Sequence, residues 1–370
     1  MGKKVFVDLS HPFSAECPRW PYFDKPQVTS AHTMAKSGVL TQWINVPQHT
    51  GTHCDAPRHV MEYEFDGRRA RYTHEMPIDA YSGDAVCLKI EVEPWALIGA
   101  KDLEAACAKA GIGPSELAGM VLVLDTGMHK YYDDSKAYYH YACGTGVEAG
   151  RWFVKHKVKC VAMDGQALDH PLHTAMGLNG GTRLNLLGHT GQPLVEEYEQ
   201  LFGKDAWAEF DKFEYIKLHG QAAYDEKYGD LEENSGWGTW EPCHKLMLGN
   251  GIVGVENLGG DLAKVSGKRF RFYCFPMRWY MGDGSIARCI AEIDEDDLND
   301  VPTRDYFYAG TGYADGAHGG ANGGEYIKRL FSRNKSNQPA SRLKRPNTHS
   351  ALGGSSPMPF LVNKVGGRYS

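Results

Sequence analysis

Short stretches in which apolar and polar residues alternate, broken by Gly, Pro and Asp, recur along the chain, and most have the period of strands. Val5-Phe6-Val7-Asp8-Leu9-Ser10 predicts a first strand, ended by His11-Pro12. Leu40-Thr41-Gln42-Trp43-Ile44-Asn45-Val46 alternates again. Further strands are predicted over residues 85–90, 120–124, 159–164 and 252–255. A closing pair spans 270–277 and 285–293 through the turn Gly282-Asp283-Gly284. Helical spacing fits residues 101–110, with Asp102 or a neighbour as N-cap and Gly111 as stop, and also 147–156, 194–202 and 222–228. Strands interleaved with helices predict an α/β protein with a strand-rich core.

Composition narrows the function. The 370 residues, 42% hydrophobic, suffice for one large domain or two. A net charge of −6 gives no basic field for nucleic acid. No apolar run approaches the ~20 residues of a membrane helix. The N-terminus leads straight into a strand without the apolar stretch of a signal peptide. Nine scattered cysteines without a Cys-x-x-Cys pair are no disulfide framework, and they point to a reducing cytoplasm.

The densest chemistry lies in Gln48-His49-Thr50-Gly51-Thr52-His53-Cys54-Asp55-Ala56-Pro57-Arg58-His59. Imidazole and carboxylate are ligands that borderline divalent ions prefer, and a catalytic site needs about three from the protein. Thr50, Gly51, Thr52 and Pro57 disfavour a helix, so a bent, extended segment can turn His49, His53 and Asp55 to one point. His59, just past the proline, then stands beside the ion. Cys54 faces the other way if the segment is extended, as a packing residue. Taken singly, each histidine is more often a hydrogen-bonded loop residue; so many gathered together point to a ligand.

The same words resemble the signature of the metal-dependent cyclase family, which includes bacterial kynurenine formamidases and isatin hydrolases. His49-Thr50-Gly51-Thr52-His53 fits its first half, and the match continues through Asp55 and Pro57 to His59. Asp8-Leu9-Ser10-His11-Pro12 and Asp125-Thr126-Gly127 are weaker matches. Late in the chain, His244 and Glu256, the latter in Glu256-Asn257-Leu258, reproduce a spacing and phrase that bind metal in the formamidases. The resemblance covers roughly residues 5–295. It implies a swivelling β/β/α fold, a barrel-like core with peripheral helices, and hydrolysis of a small amide, lactam or ester by water activated at a metal. It also implies that Trp20 and Phe23, in the Pro18-Arg19-Trp20-Pro21-Tyr22-Phe23 loop, lie near the substrate; capping the core is the plainer alternative.

Two regions fall outside that resemblance. Residues 172–240 form an insert with Gly-rich loops over 177–191, expected to act as a lid, pocket wall or oligomer contact. Just before it, Asp169, His170 and His173 form a second polar cluster, open to metal ligation, or to contact with the substrate or with the ligands around the ion, though Asp-His-Pro is also a turn phrase. Residues 301–370 are Gly-rich and then basic, and read as an extended arm on a domain spanning 1–300. With only Tyr326 and Phe331 beside its basic run, the arm is a poor nucleic-acid tail.

The expectation is a cytoplasmic metal-dependent hydrolase of a small amide, lactam or N-formyl compound. His49, His53, Asp55, His244 and Glu256 hold one or two ions, manganese or zinc, with His59 as general base and then acid. Lactone or ester hydrolysis is the alternative, and a non-catalytic metal-binding protein the second. Partners are a small-molecule substrate and further copies of the chain in a homodimer or homotetramer, with neither nucleic acid nor membrane.

Overall fold

Nine strands hydrogen-bond into one curled sheet in the computed structural model, which describes residues 2–15, 17–20, 23–132, 136–174 and 192–303. The strands are β1 (Lys4–Asp8), β2 (Gln27–His32), β3 (Thr41–Asn45), β4 (His53–Asp55), β5 (Gly83–Lys89), β6 (Leu97–Ile98), β7 (Val121–Asp125), β8 (Gly144–Thr145), β9 (Cys160–Met163), β10 (Val253–Glu256), β11 (Arg269–Cys274), β12 (Gly284–Ile286) and β13 (Cys289–Asp294). The main sheet runs β1-β13-β11-β5-β7-β9-β10-β4-β12. Its centre, β5 to β10, is parallel, and its flanks are antiparallel.

Alternation along the central strands divides the interior in two. Val121 and Val123 of β7 join one core with Ala85, Cys87, Cys160 and Ala162. Leu122 and Leu124 join the other with Val86, Leu88, Val161 and Met163. A strand buried on both faces reads as a continuous apolar run, which is why residues 120–124 stood out in the sequence.

The second core is closed by helices α1 (Ala100–Lys109) and α2 (Val147–Lys155), which contribute Leu103, Trp152 and Phe153. α1 starts one residue earlier than expected. Gly99 is its N-cap and Asp102, inside the first turn, accepts the Gly99 N–H at 2.8 Å.

The expected strand over 285–293 is in fact two. β12 lies at one edge of the sheet against β4, whereas β13 pairs with β1 and β11 near the other. Only Ala287 and Arg288 separate them, so the sheet must roll until its edges approach. Ser10 bridges to Leu258, the Leu9 N–H bonds to Cys289 O (2.9 Å), and the His11 N–H bonds to Thr52 Oγ1 (3.0 Å) across that seam. The barrel-like, strand-rich core with peripheral helices implied by the resemblance is present.

Residues 40–46 do form a strand, β3, but it pairs only with β2 in a separate hairpin and is exposed throughout. Among the described residues of the insert three helices appear where two were expected: α3 (Gln192–Phe202), α4 (Lys212–His219) and α5 (Gln221–Ser235). Asp211 caps α4 by accepting the N–H groups of Phe213 and Glu214. Tyr215, Tyr224, Tyr228 and Leu231 pack with Val147 of α2 and Leu246 of α6 (Pro242–Gly249). α2 and α6 meet closely at Gly150, where a Cβ would stand 3.0 Å from Leu246 Cδ1 and 3.2 Å from Cys243 Cα. The Gly-rich loops 177–191 and nearly all of the predicted arm, 304–370, lie outside the described residues. Among the described residues, no helix is long and apolar enough to cross a membrane.

Candidate metal centre

β4 is the hinge of the site. Its extended backbone turns His53 and Asp55 to one face and Cys54 to the other, where the thiol is buried beside Cys274 and Cys289. Glu256, at the end of β10, stands opposite His53 in the antiparallel register. Its Oε2 lies 3.3 Å from His53 Nε2. His244, in the first turn of α6, places Nε2 at 2.8 Å from Glu256 Oε1 and 3.9 Å from Asp55 Oδ2. His49, in the loop before β4, sets Nδ1 at 2.8 Å from Asp55 Oδ1. Thus His49, His53, Asp55, His244 and Glu256, from three distant stretches, are brought together, all buried.

Their electrostatics follow from burial and crowding. Burial alone would lower His49, but hydrogen bonds to Asp283 and Asp55 outweigh it and push it up to about 10. Burial likewise opposes charge on Glu256, yet His244 and His53 hold its carboxyl well below the usual range. Asp55 is raised by burial and by Glu256, and its two histidine neighbours more than reverse this. Carboxylates buried at such proximity need positive charge, from imidazolium or from a cation.

The donors fit a divalent ion. His53 Nε2 and Asp55 Oδ2 are buried without a hydrogen-bond partner, which is costly unless something else binds them. Donor atoms of His53, Asp55 and Glu256 lie within 4.8 Å of one another, as do those of His49, Asp55 and His59, so Asp55 is common to two groupings. Nitrogen and carboxylate oxygen are a set that zinc and manganese both accept.

Two surrounding carboxylates orient the histidines. Asp169 Oδ2 takes His244 Nδ1 at 2.6 Å and the His244 backbone N–H at 2.9 Å, while Oδ1 takes the Cys243 N–H at 2.9 Å. It therefore both caps α6 and fixes one ring. Asp283 Oδ2 lies 2.9 Å from His49 Nε2 and 3.5 Å from His59 Nδ1, and those histidines hold its carboxyl far below the ordinary range. In the sequence Asp283 reads only as a turn residue between Gly282 and Gly284. Its signal lies in Gly284, where a Cβ would come within 2.5 Å of His49 Cε1.

His59, in the short helical turn Pro57–His59, stacks on His49 with ring centroids 3.8 Å apart and is the partly exposed histidine of the group. It borders a cavity of about 300 Å³. Trp20 and Phe23 line that cavity, as do Trp237, Trp240 and Glu241 from the end of the insert and the start of α6. His170 and His173 do not. His170 Nε2 bonds to Trp95 O at 3.0 Å and burial pulls it down to about 3, while His173 Nδ1 bonds to Thr239 O at 2.9 Å. Both are buried and packed against the Phe210 ring, away from the cavity lining, so a substrate role for them is not what their surroundings favour. Their phrase forms a short helical turn after Asp169, and only the carboxylate faces the centre.

The curled, mixed sheet wrapped by helices has counterparts among known proteins. Residues 7–170, which carry the whole His49–His59 signature, match the family model described as "Putative cyclase", in agreement with the resemblance carried by the motif. Solved structures of similar fold include an isatin hydrolase bound to the product analogue thioisatinate, with 17% identity, 79% of this chain and 93% of that chain covered, and TM-score 0.54. Isatin hydrolase A from Ralstonia solanacearum has 17% identity, coverage of 78% and 92%, and TM-score 0.52. Isatin hydrolase A from Labrenzia aggregata, bound to benzyl benzoate, has 16% identity, coverage of 79% and 94%, and TM-score 0.51.

Proposed function

We propose that the protein is a metal-dependent hydrolase of a small amide, lactam or N-formyl compound. The observation that carries this reading is the pair of buried donors His53 Nε2 and Asp55 Oδ2, neither satisfied by a well-aligned hydrogen bond, set among three further ligand-type side chains beside a cavity. The likeness of fold to isatin hydrolases adds support.

His49, His53, Asp55, His244 and Glu256 would hold one or two divalent ions, manganese or zinc. When bound, such an ion supplies Lewis acidity, lowering the pKa of a water toward about 7 and polarising a carbonyl. Asp169 and Asp283 keep the rings of His244 and His49 in place. His59 is the general base and then acid: it is partly exposed, it faces the cavity, and Asp283 lies on its Nδ1 side, leaving Nε2 to exchange a proton with water and then with the leaving atom. Trp20 and Phe23 wall the cavity and exclude water around an apolar substrate.

Chelation followed by readdition of a single metal tests the reading on a panel of formanilides, cyclic amides and lactones. Activity on the nitrogen compounds that disappears with the metal and returns with it is expected. Activity that survives complete metal removal overturns the mechanism, and activity on lactones alone shifts the function to ester hydrolysis.

The nine cysteines, all buried without disulfides, suit a reducing cytoplasm. A homodimer or homotetramer belongs to the same reading. Leu40, Trp43 and Ile44 are exposed apolar residues on the β2–β3 hairpin, Trp43 and Ile44 on its opposite faces, and a mass measured by light scattering tests whether copies associate there.

A further inference from the structure

Glu241 starts α6, three residues before His244, and its backbone is left-handed at φ 44°, ψ 51°. Glycine adopts that conformation freely; glutamate rarely does. The position is fixed from both sides: the Glu241 N–H bonds to His173 O at 2.8 Å, and the Lys245 N–H bonds to Glu241 O at 3.0 Å.

An acidic residue at a helix start ordinarily caps it. Glu241 makes no cap bond, because Asp169 already accepts the N–H groups of Cys243 and His244. Nor does it pair with Lys245, whose Nζ donates to Trp237 O at 2.6 Å. The side chain instead borders the cavity, in company with His59, His244 and the rings of Trp20, Trp237 and Trp240. Among the described residues its carboxylate accepts no hydrogen bond. Backbone strain kept at a cavity wall, carrying an open acceptor, is the mark of a residue retained for a ligand.

We propose that Glu241 accepts a hydrogen bond from an N–H of the substrate, and so selects amide- or lactam-type compounds over esters and other analogues without that proton. The proposal rests on the hydrolase reading for the identity of the ligand as a substrate. Burial raises the Glu241 pKa while His244 and His59 beside it favour the charged form; as a carboxylate it only accepts, so a compound that presents an oxygen there leaves two acceptors facing each other. Sites built to bond a substrate N–H reject isosteres that lack it far more strongly than apolar pockets reject a missing methylene.

The test is binding without turnover. Oxindole presents a lactam N–H; 2-indanone has nearly the same shape with CH₂ in its place. Calorimetry on the metal-loaded wild type should find oxindole bound about 10- to 100-fold more tightly. In Glu241→Gly the two probes should bind alike, while Glu241→Gln, which keeps a carbonyl oxygen there, should retain part of the preference. Glu241→Gly also frees the backbone, so it should melt at or above the wild-type temperature with unchanged metal content, which separates lost selectivity from lost structure. Wild type that binds both probes equally, or neither, overturns the proposal, as does a preference that survives in Glu241→Gly. Wild type that shows the preference but hydrolyses nothing on the panel overturns the hydrolase reading and leaves the role of Glu241 standing. A hydrolase whose preference ignores position 241 does the reverse.

Discussion

Asp169 illustrates how much of this centre depends on groups that would never touch a cation. Asp169 holds the His244 ring at 2.6 Å and caps its helix, so Asp169→Asn should lower metal affinity about 10- to 100-fold, read by competition against a chelator. Unchanged affinity would remove its orienting role. The histidines also make metal binding a proton exchange. With its pKa pushed up to about 10, His49 keeps its proton at neutral pH in the metal-free protein, and a cation must displace it. Metal affinity should therefore climb from pH 6 to pH 8. The metal-free protein moves oppositely: a raised histidine pKa stabilises the fold fully below the unfolded value of ~6.5, and that contribution is lost as pH rises through about 10. The melting-temperature gap between loaded and metal-free protein should widen with pH, and a gap that stays constant contradicts the coupling.

The elements were legible where the residue pattern reflects burial and obscure where it does not. β7 and β9, buried on both faces, appear in the sequence at nearly their observed bounds. β3 alternates as a strand should, yet none of it is buried, so the pattern gave the element without its place. The break at Ala287-Arg288 left no local mark, because it serves the closing of the barrel and not a turn. β12 carries the element-scale prediction. Gly284→Ala would drive a Cβ to 2.5 Å from His49 Cε1. The strand lies at a sheet edge, so the fold should survive at a cost of about 1–3 kcal/mol while His49 is displaced and metal affinity falls. A variant that binds metal like wild type would show that His49 has room to move.

At the scale of the whole molecule, topology gathers what the sequence scatters. Parallel β9 and β10 and the antiparallel β4 beside them bring Glu256 against His53, and α6 returns His244 to the same end of the sheet. The five ligand-type residues were readable because the motif and the spacing of His244 and Glu256 are distinctive. Asp169 stood out only as part of a polar cluster with His170 and His173, and Asp283 not at all, since its place beside His49 and His59 comes from long-range contacts that no local spacing encodes. The insert supplies Ser235, Trp237 and Trp240 to the cavity wall, so substrate choice should move with it more than with the barrel. Trp237→Ala should change KM across a substrate panel several-fold more than it changes metal affinity, and the opposite split would place Trp237 outside the binding wall.

The most direct measurement is a titration of metal-free protein with Mn²⁺ or Zn²⁺, wild type beside His53→Ala. Saturable binding of one or two ions per chain, weakened at least about 100-fold by the substitution, is the predicted result. Wild type that takes up no ion, or His53→Ala that binds as tightly as wild type, would contradict the centre described.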